Sequence, residues 1–169
     1  MQWKELASVL NSLRFSQMKS LSQLFLVKPL WIFPTAKATA TCMQMCERLF
    51  PKIHHGHGKE NAFRHIMWNA LLVREFYYHS SNLEKSSNFA DKVTAWHENF
   101  SPNPPLEHAM DVHNNALGRI WATEWLNNKI ALENDSLETL ILVELSKAKQ
   151  LIKPDDIKNH TGLPVFISN

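Results

Sequence analysis

Apolar residues recur along this chain at the three- and four-residue intervals of amphipathic helices. From Trp3 to about Leu26 the series is Leu6, Val9, Leu10 and Leu13, then Leu21, Leu24 and Phe25, which predicts one bent helix or two short ones. Arg14, Lys19 and Lys28 give this segment a basic bias that would suit a membrane surface, but packing on a core is the reading adopted. Lys28-Pro29 and Phe33-Pro34 interrupt the period, because proline lacks a backbone donor and disfavours helical angles in its predecessor. Leu30, Trp31, Ile32 and Phe33 are therefore expected to plug the core from an extended link. Thr35 is the expected N-cap of a helix through Phe50, with Pro51 as its stop.

The next helix carries polar residues on a repeating face. Ala62, Phe63, Ile66, Met67, Ala70, Leu71 and Phe76 supply an apolar surface, while Asn61, His65 and Asn69 fall four apart on one stripe, with Arg64 beside them. Asparagine is a poor helix former with strong hydrogen-bonding demands, so two in one helix interior favour a functional role. Ser80 to Asn88 reads as a connection. Asn88 would cap a helix bearing Phe89, Val93, Trp96 and Phe100, with His97 and Glu98 near its end. After the stiff turn Ser101-Pro102-Asn103-Pro104-Pro105, Pro105 opens a helix expected to reach about Leu132.

That helix holds a second polar stripe: Asp111 and Asn115 four apart, Asn114 three from Asp111, then Gly118 and Arg119. Gly118 suits a close helix crossing, whereas His113 points away from Asp111 on an ideal helix. Asp135 with Glu138 resembles a capping box for a last helix to about Ile152, ended by Pro154, and Leu163 to Ile167 would dock as an extended tail. The expectation is an all-α fold: a single-domain irregular bundle of five or six helices over residues 1–169.

Composition narrows the function classes. With 169 residues, 44% hydrophobic and 20% charged, the chain suits a globular core, and disordered or collagen-like classes are excluded. A formal net charge of +2 with no basic arm gives no reason to expect nucleic acid as a partner. Leu24 to Phe33 is too short and too interrupted for a membrane span of about 20 apolar residues. The first residues carry Glu5 and lack a cleavage-site pattern, so no secretory signal is expected. Cys42 and Cys46, four apart on one predicted helix, read as reduced thiols, which makes the cytoplasm the expected compartment.

The polar stripes supply candidate chemistry. His65, Asp111 and Glu98, with His97 as an alternative to Glu98, would bring three ligands from three helices to a divalent metal, zinc foremost. Bound water would then be a nucleophile near neutral pH, and Arg64 or Arg119, with Asn69 and Asn114, would hold a small anionic or ester substrate. A metal-free arrangement would use Glu98 or His97 as general acid/base with His65 oriented by Asp111. A third reading makes the same residues a buried polar network that fixes helix register, in a noncatalytic interaction module. The zinc motif HExxH is absent, since Ser101 stands at its last position, and so is the GxSxG elbow. His54, His55 and His57 with Gly56 and Gly58 read equally as a metal-binding tract or catalytic loop and as a connector with exposed imidazoles.

The ordered set Asn61-Ala62-Phe63-Arg64-His65 with Trp68-Asn69-Ala70-Leu71, then His97-Glu98, then Met110-Asp111 with His113-Asn114-Asn115 and Gly118-Arg119, resembles an uncharacterised bacterial family, domain of unknown function 6973. The resemblance spans about Leu30 to Arg119. It implies a mostly helical domain with a polar site at Arg64, His65, Asn69, His97, Glu98, Asp111, His113 and Asn114, and names no reaction.

Overall fold

The computed structural model describes residues 15–26, 28–53, 56–100 and 103–167. Among these are six α-helices: α1 (Phe15–Leu26), α2 (Ile32–Leu49), α3 (Lys59–Ser80), α4 (Leu83–Phe100), α5 (Pro105–Asn127) and α6 (Asn134–Leu145). Two short parallel strands, β1 (Lys149–Gln150) and β2 (Val165–Phe166), pair Lys149 with Val165 and Gln150 with Phe166. The fold is all-α. Part of the expected first helix, and both His54 and His55, lie outside the described residues.

Helix α3 is the axis of the bundle, packed by α2, α4, α5 and α6, with its most extensive interface against α5. A helix surrounded on several sides must be apolar nearly all round, and from Phe63 to Phe76 almost every side chain is buried. The polar exceptions, Asn61, His65, Asn69, Arg74 and Glu75, are buried too, so each needs a partner inside the protein. Gly118 of α5 permits the tight approach: a Cβ there would lie 2.9 Å from Asn69 Cβ and 3.0 Å from the Ile66 carbonyl carbon. The expected close crossing is present.

Several boundaries differ from expectation for identifiable reasons. Residues 28–35 are not an extended link: Pro29–Trp31 is a 3-10 turn, and α2 already begins at Ile32. Pro34 is the third residue of that helix, where a missing N–H has no carbonyl to serve anyway. Thr35 is therefore inside the helix and donates its hydroxyl to Trp31 O at 2.8 Å instead of capping. Of the four apolar residues expected in the core only Trp31 enters, sandwiching with Phe76 at 4.6 Å and meeting Phe89 edge-on. Leu30, Ile32 and Phe33 remain exposed.

The connection read across Ser80 to Asn88 shrinks to Ser81 and Asn82. Ser81 takes a left-handed φ of 51°, and Asn82 Oδ1 accepts the Lys85 N–H at 2.8 Å, so the cap lies six residues before Asn88. Helix α5 stops at Asn127 instead of Leu132, with Lys129 at φ 59°. The Asp135/Glu138 capping box does not form, because the helix opens without a side-chain cap and Glu138 pairs with Arg48. α6 ends at Leu145, and the chain runs into β1. The tail does dock extended: Val165 is buried with Met110 and Leu151 in a small second core.

Candidate functional site

Adjacent turns of α3, α4 and α5 bring His65, Glu98 and Asp111 together in the interior, all three buried. One ligand-capable atom from each lies within 4.8 Å of the others, so among the described residues this trio could hold a metal ion. Their surroundings set the atoms' roles. Arg119, which can only donate, gives Nη1–H to Asn69 Oδ1 at 2.9 Å. Asn69 Nδ2 must then point the other way, and donates to Asn115 Oδ1 at 2.6 Å and to His65 O at 3.0 Å. Asn115 Nδ2 in turn donates to Glu98 Oε1 at 2.9 Å.

A guanidinium at one end and a carboxylate at the other thus fix the polarity of both amides. The consequence reaches the imidazole. Asn115 Oδ1 also faces His65 Nδ1 at 3.1 Å, and since that oxygen only accepts, the proton is on Nδ1. Nε2 is left with its lone pair, accepting from Arg64 Nη2 at 3.1 Å and facing Asp111 Oδ1 at 3.1 Å.

Asp111 is held from its other side, where Oδ2 accepts Asn103 Nδ2 at 2.8 Å. Its Oδ1 is buried without a hydrogen-bond partner despite the nearby imidazole. Two acceptors face one another there, an arrangement relieved by a proton on Asp111 or by a cation between them. Burial, followed by the charge of Glu98, pushes the Asp111 carboxyl up to about 7. Burial and then the Arg64 charge hold His65 down at about 3, and burial also raises Glu98. The short His65–Asp111 contact is therefore not an ion pair near neutrality: the imidazole is neutral, and desolvation outweighs the attraction that such a pair would provide.

Glu98 and Asn115 also face outward, onto a cleft of about 160 Å3 between α4 and α5 that Arg119, Thr94 and His108 help to line. At ~30 Å3 per water, this space takes a small polar group or a few waters. Arg119 is anchored there by Asp91 at 2.8 Å and Thr94 Oγ1 at 3.2 Å. A roomier cavity of about 450 Å3 lies beside Lys37, Arg74 and Glu75, away from the trio. There Arg74 is committed to Glu75, Leu132 O and Asn134.

The remaining candidates are placed differently. His97, one residue from Glu98, packs edge-on to Trp68 at 5.3 Å, near enough for its charge to act on His65; burial and Arg64 lower its pKa. It does not line the cleft. Asn114 is not at the site: its amide donates to Val165 O at 2.8 Å and accepts Val165 N–H at 3.1 Å, which pins β2 to α5. His113 does a related job through Leu163 O at 2.8 Å. Asn69 is wholly buried and spent within the relay, leaving no free group to meet a substrate. His57 lies 3.6 Å from Glu107.

Asn115 is the hub that the sequence left out of the candidate set, although its four-residue spacing from Asp111 was visible. Asp91 and Thr94, at seven and four residues before Glu98, share its helix face and were equally open to that reasoning. Asn103, in the proline turn, had no periodic signal.

The model of a family described as a domain of unknown function, DUF6973, matches residues 22–149. The chain belongs to that family. No curated protein and no solved structure matches it. The DUF6973 match takes in the trio, the amide relay and the cleft, and it stops at the first residue of β1, short of the β2 strand that His113 and Asn114 hold. No helix among the described residues is long and apolar enough to cross a membrane.

Proposed function

We propose that this DUF6973 protein is a divalent-metal-dependent hydrolase of a small ester or phosphoester. The observation that carries the reading is the orphaned, buried Asp111 Oδ1 opposite the unprotonated His65 Nε2, with Glu98, 3.9 Å from His65 Nδ1, completing a trio whose ligand-capable atoms lie within 4.8 Å of one another. One imidazole and two carboxylates suit zinc first, manganese or iron next. Such an ion would supply Lewis acidity and an activated water. Glu98 and Arg119 both line the cleft, and in this reading Glu98 would move a proton at its wall and Arg119 would hold an anionic group there. Arg64 would balance charge beside His65. The proposal treats the chain as one domain, acting in the cytoplasm, where Cys42 and Cys46, free and 4.0 Å apart, would stay reduced. Nucleic acid is not among the proposed partners.

The test is metal content by mass spectrometry on protein purified without chelator or histidine tag, beside His65→Ala and Asp111→Ala. Near-stoichiometric metal, lost in both variants, supports the reading and selects which metal to use in hydrolysis assays with nitrophenyl esters and phosphoesters. No metal after dialysis against zinc, manganese or iron refutes it.

The second reading, a noncatalytic helical binding module with a structural polar network, is favoured by the relay, in which every amide is engaged. Under it, Glu98→Gln costs stability and no hydrolysis is found in the wild type; under the first, Glu98→Gln abolishes hydrolysis.

A further inference from the structure

Between Glu5 and Glu47 the sequence has no acidic residue, while Arg14, Lys19, Lys28 and Lys37 are basic. The whole chain is only +2, so charge is segregated toward this stretch and the rest is net negative. The same stretch carries the corner between α1 and α2, where large apolar side chains face outward. Leu26 is 75% exposed, Leu30 72%, Phe33 60% and Ile32 52%. Four such residues fall within eight positions of the chain, unlike the single exposed aliphatics found on most proteins.

The corner is rigidly backed. Trp31, between Leu30 and Ile32, is fixed in the core on Phe76 and Phe89, and α2 starts at the next residue. Lys28 Nζ sits over the Trp31 ring at 4.0 Å, which holds a cation beside the apolar side chains, and Lys19 is exposed on α1. Lys37 shares its charge with Glu75, so it adds less. An outward apolar cluster flanked by cations, without a neighbouring carboxylate in the sequence, matches the two-part requirement for binding an anionic lipid surface: apolar insertion plus electrostatic attraction.

We infer that the α1–α2 corner is a membrane-surface docking site for anionic bilayers, with Leu26, Leu30, Ile32 and Phe33 entering the interface and Lys19 and Lys28 facing the headgroups. The site is on the surface, and does not depend on the reading of the buried trio. A symmetric pair of chains would bring two identical basic corners together, which the charge disfavours and an anionic lipid surface does not.

The experiment is flotation of the full chain with extruded vesicles of phosphatidylcholine alone and of phosphatidylcholine with phosphatidylglycerol, at low and high salt. The wild type is expected to float with the anionic vesicles, to stay behind with the neutral ones, and to be released by salt. Leu30→Glu and Phe33→Glu each reduce partitioning at least about tenfold, because they replace an inserting side chain by an anion. Lys28→Glu reduces it roughly fivefold or more. Ile152→Glu changes an equally exposed aliphatic elsewhere and leaves binding as it was. Circular dichroism confirms that each variant is folded. Failure of the wild type to float at low salt overturns the inference, as does an equal loss in Ile152→Glu. A dimer in light scattering that Phe33→Glu dissolves, with no vesicle binding, also overturns it and makes the corner a self-association face.

Discussion

Gly118→Ala sets helix propensity against packing. In a helix interior alanine is favoured over glycine by about 1 kcal/mol, so on propensity alone the variant is stabilised. The α3–α5 crossing reverses the sign. The new methyl carbon would sit 2.9 Å from Asn69 Cβ and 3.0 Å from the Ile66 carbonyl carbon, and closer still to the carbonyl oxygen, where ordinary contact begins at 3.4 Å. The obstacle is mainly backbone, so no rotamer change relieves it, and the helices must part by about one ångström. Overpacking of this kind costs ~1–3 kcal/mol. The same interface carries the bonds from Arg119 to Asn69, from Asn69 to Asn115 and from His65 to Asn115. Stretching them adds about 1–3 kcal/mol for each buried group left unsatisfied. The expected net loss is about 3 kcal/mol or more, a large share of a total near 5–15 kcal/mol. Urea titration should show a lower midpoint at unchanged slope, and the thermal midpoint should fall by roughly 6–12 °C. A variant as stable as wild type would refute the claim that this crossing is tight.

Asn115→Leu, nearly isosteric, leaves His65 Nδ1–H, Asn69 Nδ2 and Glu98 Oε1 short of a partner, and is expected to cost about 3 kcal/mol or more in urea unfolding. Asn114→Ala removes both bonds to Val165 and should expose residues 160–167 to proteolysis and faster amide exchange, while metal content stays as in wild type. In chelator, pH acts on His65 and Asp111 in opposite senses. Asp111, raised from 3.8 to about 7, makes stability fall as pH rises between those values, because the folded state holds the extra proton. His65, lowered from 6.5 to about 3, makes stability rise over that range. Their slopes largely offset between about pH 4 and 6.5, so Asp111→Asn should show a stability that climbs more steeply with pH than wild type in denaturant midpoints. Identical profiles would count against the assignment.

The helical architecture was legible because periodicity reports a buried face whichever neighbour buries it. Boundaries were not, and each miss has a local cause. Pro34 was read as a break when its position in the first turn made it harmless. Asn82 is the cap in place of the expected Asn88, which lies well inside α4. The convergence of His65, Glu98 and Asp111 was legible from residue type and stripe spacing on three helices. The partition of the cluster was not: Asn114 and Asn115 are neighbours of one kind, and only the helix rotation sends one to Val165 and the other to Glu98. The exposure of Leu30, Ile32 and Phe33 was also out of reach, since apolar residues near a proline look the same whether they face a core or solvent.

The polar cluster divides into two halves that differ in how completely they are paired, and the difference bears on the choice between scaffold and site. From Arg119 through Asn69 and Asn115 to Glu98, each bond has a defined direction and good length, as expected of a network that fixes register. Around Asp111 that completeness ends: Oδ1 has no hydrogen-bond partner, and Arg64 Nε is buried without one too. A network selected only for register gains nothing from orphaned polar atoms, each of which costs ~1–3 kcal/mol. The complete half holds His65 in the tautomer whose Nε2 lone pair, which also accepts from Arg64 Nη2, faces the incomplete half, and so acts as the positioning layer that metal-ligating imidazoles require. If the incomplete half were structural, Asp111→Asn should be tolerated or stabilising, as an amide could donate to His65 Nε2. If it awaits a cation, the same change should abolish metal binding while stability without metal rises. Metal content of wild type and of that one variant therefore separates the two readings, whereas the midpoint without metal moves the same way under both.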